Sequence, residues 1–142
     1  MVTLEELRSR IETYMRQKGL PYTVEPTGIY RISHGTTFVR LGVFQTKAGV
    51  NILKLMAPVA LEITKITPEL TRFLAEKNGE LLFGKFSLYT KNKNIMYEHT
   101  LFGDTLSAET LYTSIVLIVG TADQFDEQVA KMAAGKRVKD LL

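Results

Sequence analysis

The sequence predicts an α+β domain, in which helices pack on an antiparallel sheet of about five strands in the order α-β-β-β-α-β-β-α. Two observations lead to this fold class. Hydrophobic residues recur every three or four positions in three segments, and they alternate with polar residues in the segments between. The alternating segments are joined by short turns, which connect antiparallel rather than parallel strands.

Length and composition indicate one folded unit. The chain has 142 residues, of which 45% are hydrophobic and 23% charged, as in an ordinary soluble domain. We therefore expect a single domain over residues 1–142. The absence of cysteine excludes disulfides, and neither a secretory signal nor a bilayer-length apolar run is visible. These features predict a cytoplasmic protein without a membrane partner.

The first helix begins at Thr3, because Thr3 and Glu6 have capping-box spacing. Gly19 and Pro21 end it. From Tyr22 onward the hydrophobic period becomes two, which predicts strands over residues 29–32, 37–46 and 50–57. Residues 59–66 either extend the third strand or lead into the next helix.

A second helix begins at Thr67-Pro68-Glu69, where threonine caps and proline fits the first turn. It ends at Asn78-Gly79. Residues 81–90 and 95–101 then form a hairpin around the turn at 91–94. The last helix covers residues 107–134, with Ser107 as its cap and Gly135 behind it. Gly120 lies in its middle, where we expect close packing or a slight bend.

Two strands carry aromatic residues on the face opposite the predicted core. Phe38, Arg40 and Phe44 share that face in one strand, and Phe83, Lys85 and Tyr89 share it in another. Partly apolar sheet faces are sites of protein association. The sequence therefore predicts a protein-binding or dimer surface that includes Phe38, Arg40, Phe44, Phe83 and Tyr89.

The sequence contains no motif for a catalytic, metal or cofactor site. Phosphate-binding glycine loops and a nucleophile elbow are absent from it. His34 and His99 have no ligand partner at metal-site spacing. We expect no enzyme activity, no metal and no cofactor.

Basic residues at Lys91 and Lys93 and in the tail raise a second hypothesis, a nucleic-acid-associated regulator. The formal net charge is only +3, and an RNA-recognition signature is absent from the sequence. Nucleic acid is therefore the less favoured partner.

Short motifs in the carboxy-terminal half carry a family resemblance: Leu74 with Asn78, Gly84-Lys85-Phe86, Leu106-Ser107-x-Glu109-x-Leu111, and Ala122-Asp123-x-Phe125-Asp126. Residues 70–135 resemble the YbjN family, whose members have the fold of type III secretion chaperones. The resemblance implies a small, often dimeric protein that holds segments of other polypeptides and has no catalytic residues. The acidic character of the chaperones is missing here, which does not favour a role in secretion.

We therefore expect a non-enzymatic protein-binding module, a homodimer that acts as a chaperone-like or regulatory adaptor. Its partner would be another polypeptide.

Overall fold

The computed structural model describes residues 2–141, which form six antiparallel strands and three helices. The order of the strands across the sheet is β1-β2-β3-β4-β6-β5. The elements are α1 (Leu4–Gln17), β1 (Tyr22–Val24), β2 (Tyr30–His34), β3 (Thr37–Gln45), β4 (Asn51–Ala60), α2 (Pro68–Glu80), β5 (Lys85–Tyr89), β6 (Asn94–Phe102) and α3 (Ala108–Met132), followed by a 3₁₀ turn over Val138–Asp140. This architecture confirms the predicted α+β class and the order of the helices and strand groups.

The helices begin where their sequence signals place them. The side-chain oxygen of Thr3 accepts a hydrogen bond from Glu6 N, that of Thr67 from Leu70 N, and that of Ser107 from Thr110 N. Each of these bonds satisfies a backbone donor that the first helical turn leaves free. The predicted starts of all three helices are confirmed.

All three helices cover the same side of the sheet. The long helix α3 lies on β3, β4 and β6, α1 packs beside it, and α2 packs on β5. One continuous core forms between the layers, and its largest fully buried side chains include Tyr30, Leu55, Tyr97 and Leu111. Within residues 2–141, no helix has both the length and the apolarity that crossing a membrane requires.

The sheet has one strand more than the sequence predicts. The additional strand β1 pairs with β2, with Tyr22 opposite Ile32 and Val24 opposite Tyr30. It is only three residues long, too short to produce a period in the sequence. The ambiguous segment 59–66 divides, because β4 continues to Ala60 and the following residues connect to α2.

Strand β5 begins later than predicted. The sequence predicts a strand from residue 81, but the strand starts at Lys85, after Gly84 with a φ of 81°. A positive φ of this kind interrupts the alternation of side chains along a strand. Leu82 is consequently fully exposed rather than placed on the core face.

Helix α3 differs from the prediction at two glycines. Ala134, not Gly135, adopts the positive φ of 46° after the helix. Gly135 instead allows a close backbone approach, because a Cβ atom there would lie 2.8 Å from the carbonyl oxygen of Leu61. Gly120 is exposed, and a Cβ atom added there would meet nothing within 4 Å in residues 2–141. The predicted close packing at Gly120 is therefore wrong within the chain.

Replacing Gly120 by alanine is expected to raise the free energy of unfolding by about 1 kcal/mol, because the helix gains propensity without a steric cost. Urea denaturation at two protein concentrations measures the change. A loss of stability that grows with concentration would contradict it, and would indicate that a second subunit packs against Gly120.

Candidate functional site

The sheet face turned away from the helices, here called the open face, carries the candidate site. Directly opposed residues of antiparallel strands point to the same side of a sheet. One row of such residues, the charged row, crosses five strands and contains Arg31, Arg40, Met56, Glu98 and Lys85. A second row, the apolar row, consists of Phe44, Ile52 and Phe102. Within residues 2–141, no helix covers these rows.

Apolar side chains are unusually accessible on this face. Phe44 is 49% exposed and Phe102 is 67% exposed, and the half-buried Ile52 lies between them. Met96 is buried on the same face, outside the main core cluster. The open face thus has a small apolar surface of its own, separate from the core beneath the helices.

A cavity of about 180 Å³ opens on the open face at the charged row, and Phe44 of the apolar row forms part of its wall. It is smaller than the sites of drug-sized ligands, which start near 300 Å³. Its lining combines apolar and polar side chains from four strands and the turn after β5: Arg40, Phe44, Lys54, Met56, Tyr89, Asn92, Asn94 and Met96. A cavity of this size and composition fits one side chain of a polypeptide.

The wall formed by Phe44 depends on Gly42. A Cβ atom at Gly42 would lie 2.6 Å from Phe44 Cε2 and 3.1 Å from Ile29 Cδ1. The missing side chain lets the Phe44 ring fold over the strand instead of pointing straight into solvent. Gly42 therefore shapes the cavity without lining it.

Glu98 organises the polar side of the cavity. It is only 2% exposed, and it accepts hydrogen bonds from Ser87 Oγ and Tyr89 OH, each at 2.6 Å. Lys54 Nζ lies 3.5 Å from Glu98 Oε1 and donates to Tyr89 OH at 3.1 Å. A buried carboxyl group needs such partners, because an unpaired one is very costly.

The same network acts on the ionisation of its members. Burial, reinforced by the hydrogen bond to Glu98, raises the pKa of Tyr89. Burial opposes the charged form of Lys54, but the hydrogen bond to Tyr89 and the charge of Glu98 outweigh it and raise the pKa of Lys54. At neutral pH Lys54 is cationic and Tyr89 is a hydrogen-bond donor.

Two arginines occupy the other end of the charged row. Arg40 donates to both carboxylate oxygens of Glu25, at 3.0 and 2.9 Å, and this hydrogen bonding lowers the pKa of Glu25. The guanidinium carbon of Arg31 lies 3.6 Å from the centre of the Phe38 ring, an arrangement typical of a cation–π contact. Arg40 is thus neutralised, whereas Arg31 keeps its charge at the surface.

The structure brings four of the five predicted surface residues onto one face. Arg40, Phe44 and Tyr89 line the cavity, and Phe38 lies on the open face beneath Arg31.

Phe83 lies on the helix side of the sheet, so its predicted face is wrong. Its ring stacks on His99 at 3.8 Å between centroids and borders α3. Gly84 causes this change of side, because it ends the alternation before β5 begins. Burial lowers the pKa of His99, which favours the neutral imidazole in this stack.

Sequence patterns missed most of the lining. Four of the missed lining residues, Lys54, Met56, Asn94 and Met96, and the neighbouring Glu98 lie in β4 and β6, two central strands whose largely apolar sequences are typical of core strands. The only signal was a charged residue inside each strand, Lys54 in β4 and Glu98 in β6. Which charges meet depends on the strand register, which a single sequence does not specify.

Two observations bear on a metal site and on a nucleic-acid site. Residues 2–141 contain no group of three or more histidine, aspartate or glutamate side chains placed to hold a metal ion. In the tail, Lys136 pairs with Glu62, Arg137 with Asp140 and Lys139 with Asp126, all within 4.0 Å. This pairing does not favour the tail as a nucleic-acid site.

Solved structures that share the fold include chains of two complexes. A chain of the HopA1-SchA chaperone-effector complex superposes with a TM-score of 0.66 at 14% identity, covering 89% of this chain and 99% of that chain. A chain of the ExsC-ExsE complex superposes with a TM-score of 0.60 at 12% identity, covering 91% and 97%. No curated protein sequence matches the chain.

The family model for the T3SS (YopN, CesT) and YbjN peptide-binding chaperones, group 1, matches residues 5–141. The match spans both halves of the chain, including the amino-terminal half in which the sequence alone showed little resemblance. It confirms the resemblance to the YbjN family and to the type III secretion chaperone fold. The chain belongs to the family of T3SS (YopN, CesT) and YbjN peptide-binding chaperones.

Proposed function

We propose that the protein is a non-enzymatic chaperone-like adaptor that holds an extended apolar segment of another polypeptide on its open face. The observation that carries the proposal is the cavity beside the apolar row. Phe44 and Phe102 are exposed on this face, whereas the helices cover the opposite face of the sheet. Membership of a peptide-binding family supports the same class of partner.

The geometry suits a segment in the extended conformation. The apolar row and the charged row cross the same strands, β3, β4 and β6, at a fixed spacing along each, and alternate side chains of an extended segment point to one side. One side chain would enter the cavity between Phe44, Met56 and Met96. Others would cover Ile52 and Phe102, whose burial stabilises the complex.

A matched pair of peptides and a matched pair of variants test the proposal. The first peptide carries leucine at alternate positions and glycine, serine and glutamine elsewhere, and the second has serine in place of each leucine. Fluorescence anisotropy is expected to show that the leucine peptide binds and that the serine peptide does not. Phe44→Ala should weaken it about ten-fold, since a large apolar contact is lost.

Leu117→Ala is the control for this loss. Leu117 is 45% exposed on α3, so the variant removes a comparable apolar side chain from the helix side. Equal binding of the two peptides, or equal weakening by the two variants, would contradict a peptide site on the open face.

A homodimer remains a prediction, as does a cytoplasmic location. Light scattering on the same samples measures the dimer, and a monomeric mass at micromolar concentration would contradict it. If Phe44→Ala dissociates a dimer, the open face is a contact between copies of the chain rather than a peptide site.

A further inference from the structure

We propose that the open face selects acidic polypeptide segments, in which carboxylates flank the apolar side chain that enters the cavity. This inference rests on the proposed function and adds the chemistry of the partner. It follows from the balance of charge around the cavity.

The open face carries more cations than carboxylates. Its cationic side chains are Arg31, Arg40, Lys54 and Lys85, and the carboxylates that reach it are Glu25 and Glu98. Four cations against two carboxylates leave an excess of two positive charges. A bound segment with carboxylates would neutralise this excess, whereas a basic segment would increase it.

The two surplus charges lie at opposite ends of the charged row. Arg31 contacts an aromatic ring rather than a carboxylate. The Lys85 side chain is 63% exposed, and its Nζ lies 3.9 Å from Glu98 Oε1, which Lys54 already approaches more closely. Because neighbouring strands are about 4.8 Å apart, the four steps from β2 to β5 separate the two cations by roughly 19 Å. Carboxylates on both sides of an anchored side chain can reach them.

The cavity also has an unused hydrogen-bond acceptor. Asn94 lines the cavity, and its Oδ1 atom is buried without a partner among residues 2–141. Buried polar atoms are normally paired. Rotation of this side chain toward the cavity would present the oxygen to a backbone N–H of a bound segment. That acceptor suits a polypeptide, whereas the cations would attract any polyanion.

Three leucine peptides that differ only in their flanking residues test the inference on the full-length protein. Their flanks are glutamate, glutamine or lysine. The glutamate peptide is expected to bind about five-fold more tightly than the glutamine peptide, and the lysine peptide more weakly than either. The difference should shrink as salt is raised.

The double variant Arg31→Gln with Lys85→Gln should remove the preference, so that the glutamate and glutamine peptides bind with equal affinity. The double variant Lys65→Gln with Lys131→Gln is the matched control. It removes the same charge from exposed positions outside the open face, and it should retain the preference.

The other outcomes separate the two proposals. If all three leucine peptides bind alike, the acidic selection is overturned and the proposed function stands. If none binds more tightly than the serine peptide, both proposals fail. If a single-stranded oligonucleotide binds more tightly than the glutamate peptide and the Arg31 and Lys85 variant abolishes this, the face is a nucleic-acid site and the inference is overturned.

Discussion

Replacing Glu98 by alanine is expected to lower the free energy of unfolding by about 3 kcal/mol, because the change leaves a buried polar network without its centre. Ser87 Oγ and Tyr89 OH each lose an acceptor at 2.6 Å, and Lys54 loses its carboxylate. Domains of this kind are stable by only about 5–15 kcal/mol. Urea denaturation should therefore show a large shift of the midpoint with an unchanged slope.

The variant Glu98→Gln separates charge from hydrogen bonding. Glutamine keeps one acceptor oxygen and nearly the same shape, and the hydroxyl groups of Ser87 and Tyr89 can rotate to suit it. We expect a smaller loss than for alanine. An equal loss for the two variants would indicate that the charge opposite Lys54 dominates.

Glu80→Ala is the control for an exposed ion pair. Glu80 lies 3.2 Å from Lys77 and is 64% exposed, so its removal should change the free energy of unfolding by less than about 1 kcal/mol. If Glu98→Ala costs no more than Glu80→Ala, the network on the open face does not stabilise the sheet.

Local interactions were the predictable part of the fold. Thr3, Thr67 and Ser107 cap helices through bonds to residues three positions away, so the evidence for each helix start lies within one turn of sequence. The side of the sheet that β3 buries was equally predictable, because alternation is also local. Val39 and Leu41 are fully buried, as their spacing predicts.

Long-range pairing was the unpredictable part. The sequence predicts that α2 ends at Asn78-Gly79, but the helix continues to Glu80. The Asn78 side chain instead pairs with both backbone groups of Phe86, accepting from N at 2.7 Å and donating to O at 3.1 Å. This contact occupies the outer edge of β5 at that residue. The sequence marks Asn78 only as a helix end, because its partner lies in another element.

The candidate site was half predictable for the same reason. Arg40, Phe44 and Tyr89 could be predicted, because they lie on strand faces opposite the predicted core that carry aromatic residues. Glu98 and Lys54 acquire their roles only when β4, β5 and β6 lie side by side in the observed register. The acidic preference proposed above depends on that register, so the sequence could not have predicted it.

Replacing Gly84 by alanine is expected to lower the free energy of unfolding by about 3 kcal/mol, for two additive reasons. The φ of 81° is a region that residues with a side chain rarely adopt. A Cβ atom there would also lie 2.6 Å from Tyr97 Cε2 and 3.1 Å from the carbonyl oxygen of Glu98. Urea denaturation measures the loss.

Tyr97 cannot relieve this clash easily. Its ring is fully buried against Phe86, and its hydroxyl donates to the carbonyl oxygen of Phe83. Moving the ring would open the core and break that bond, so overpacking should add to the backbone strain. The positive φ at Gly84 explains why β5 starts at Lys85 and why Phe83 lies on the helix side, and the strain and the clash expected for alanine explain why glycine is needed there.

Gly79→Ala provides the control, because Gly79 lies in α2 and an added Cβ would meet nothing within 4 Å in residues 2–141. That variant should gain up to about 1 kcal/mol of stability. If Gly84→Ala is as stable as Gly79→Ala, Gly84 does not hold the positive φ, and the late start of β5 needs another cause. A loss confined to Gly84→Ala would instead show that one backbone angle causes the break in alternation. That break is the reason why the sequence predicts the wrong face for Phe83.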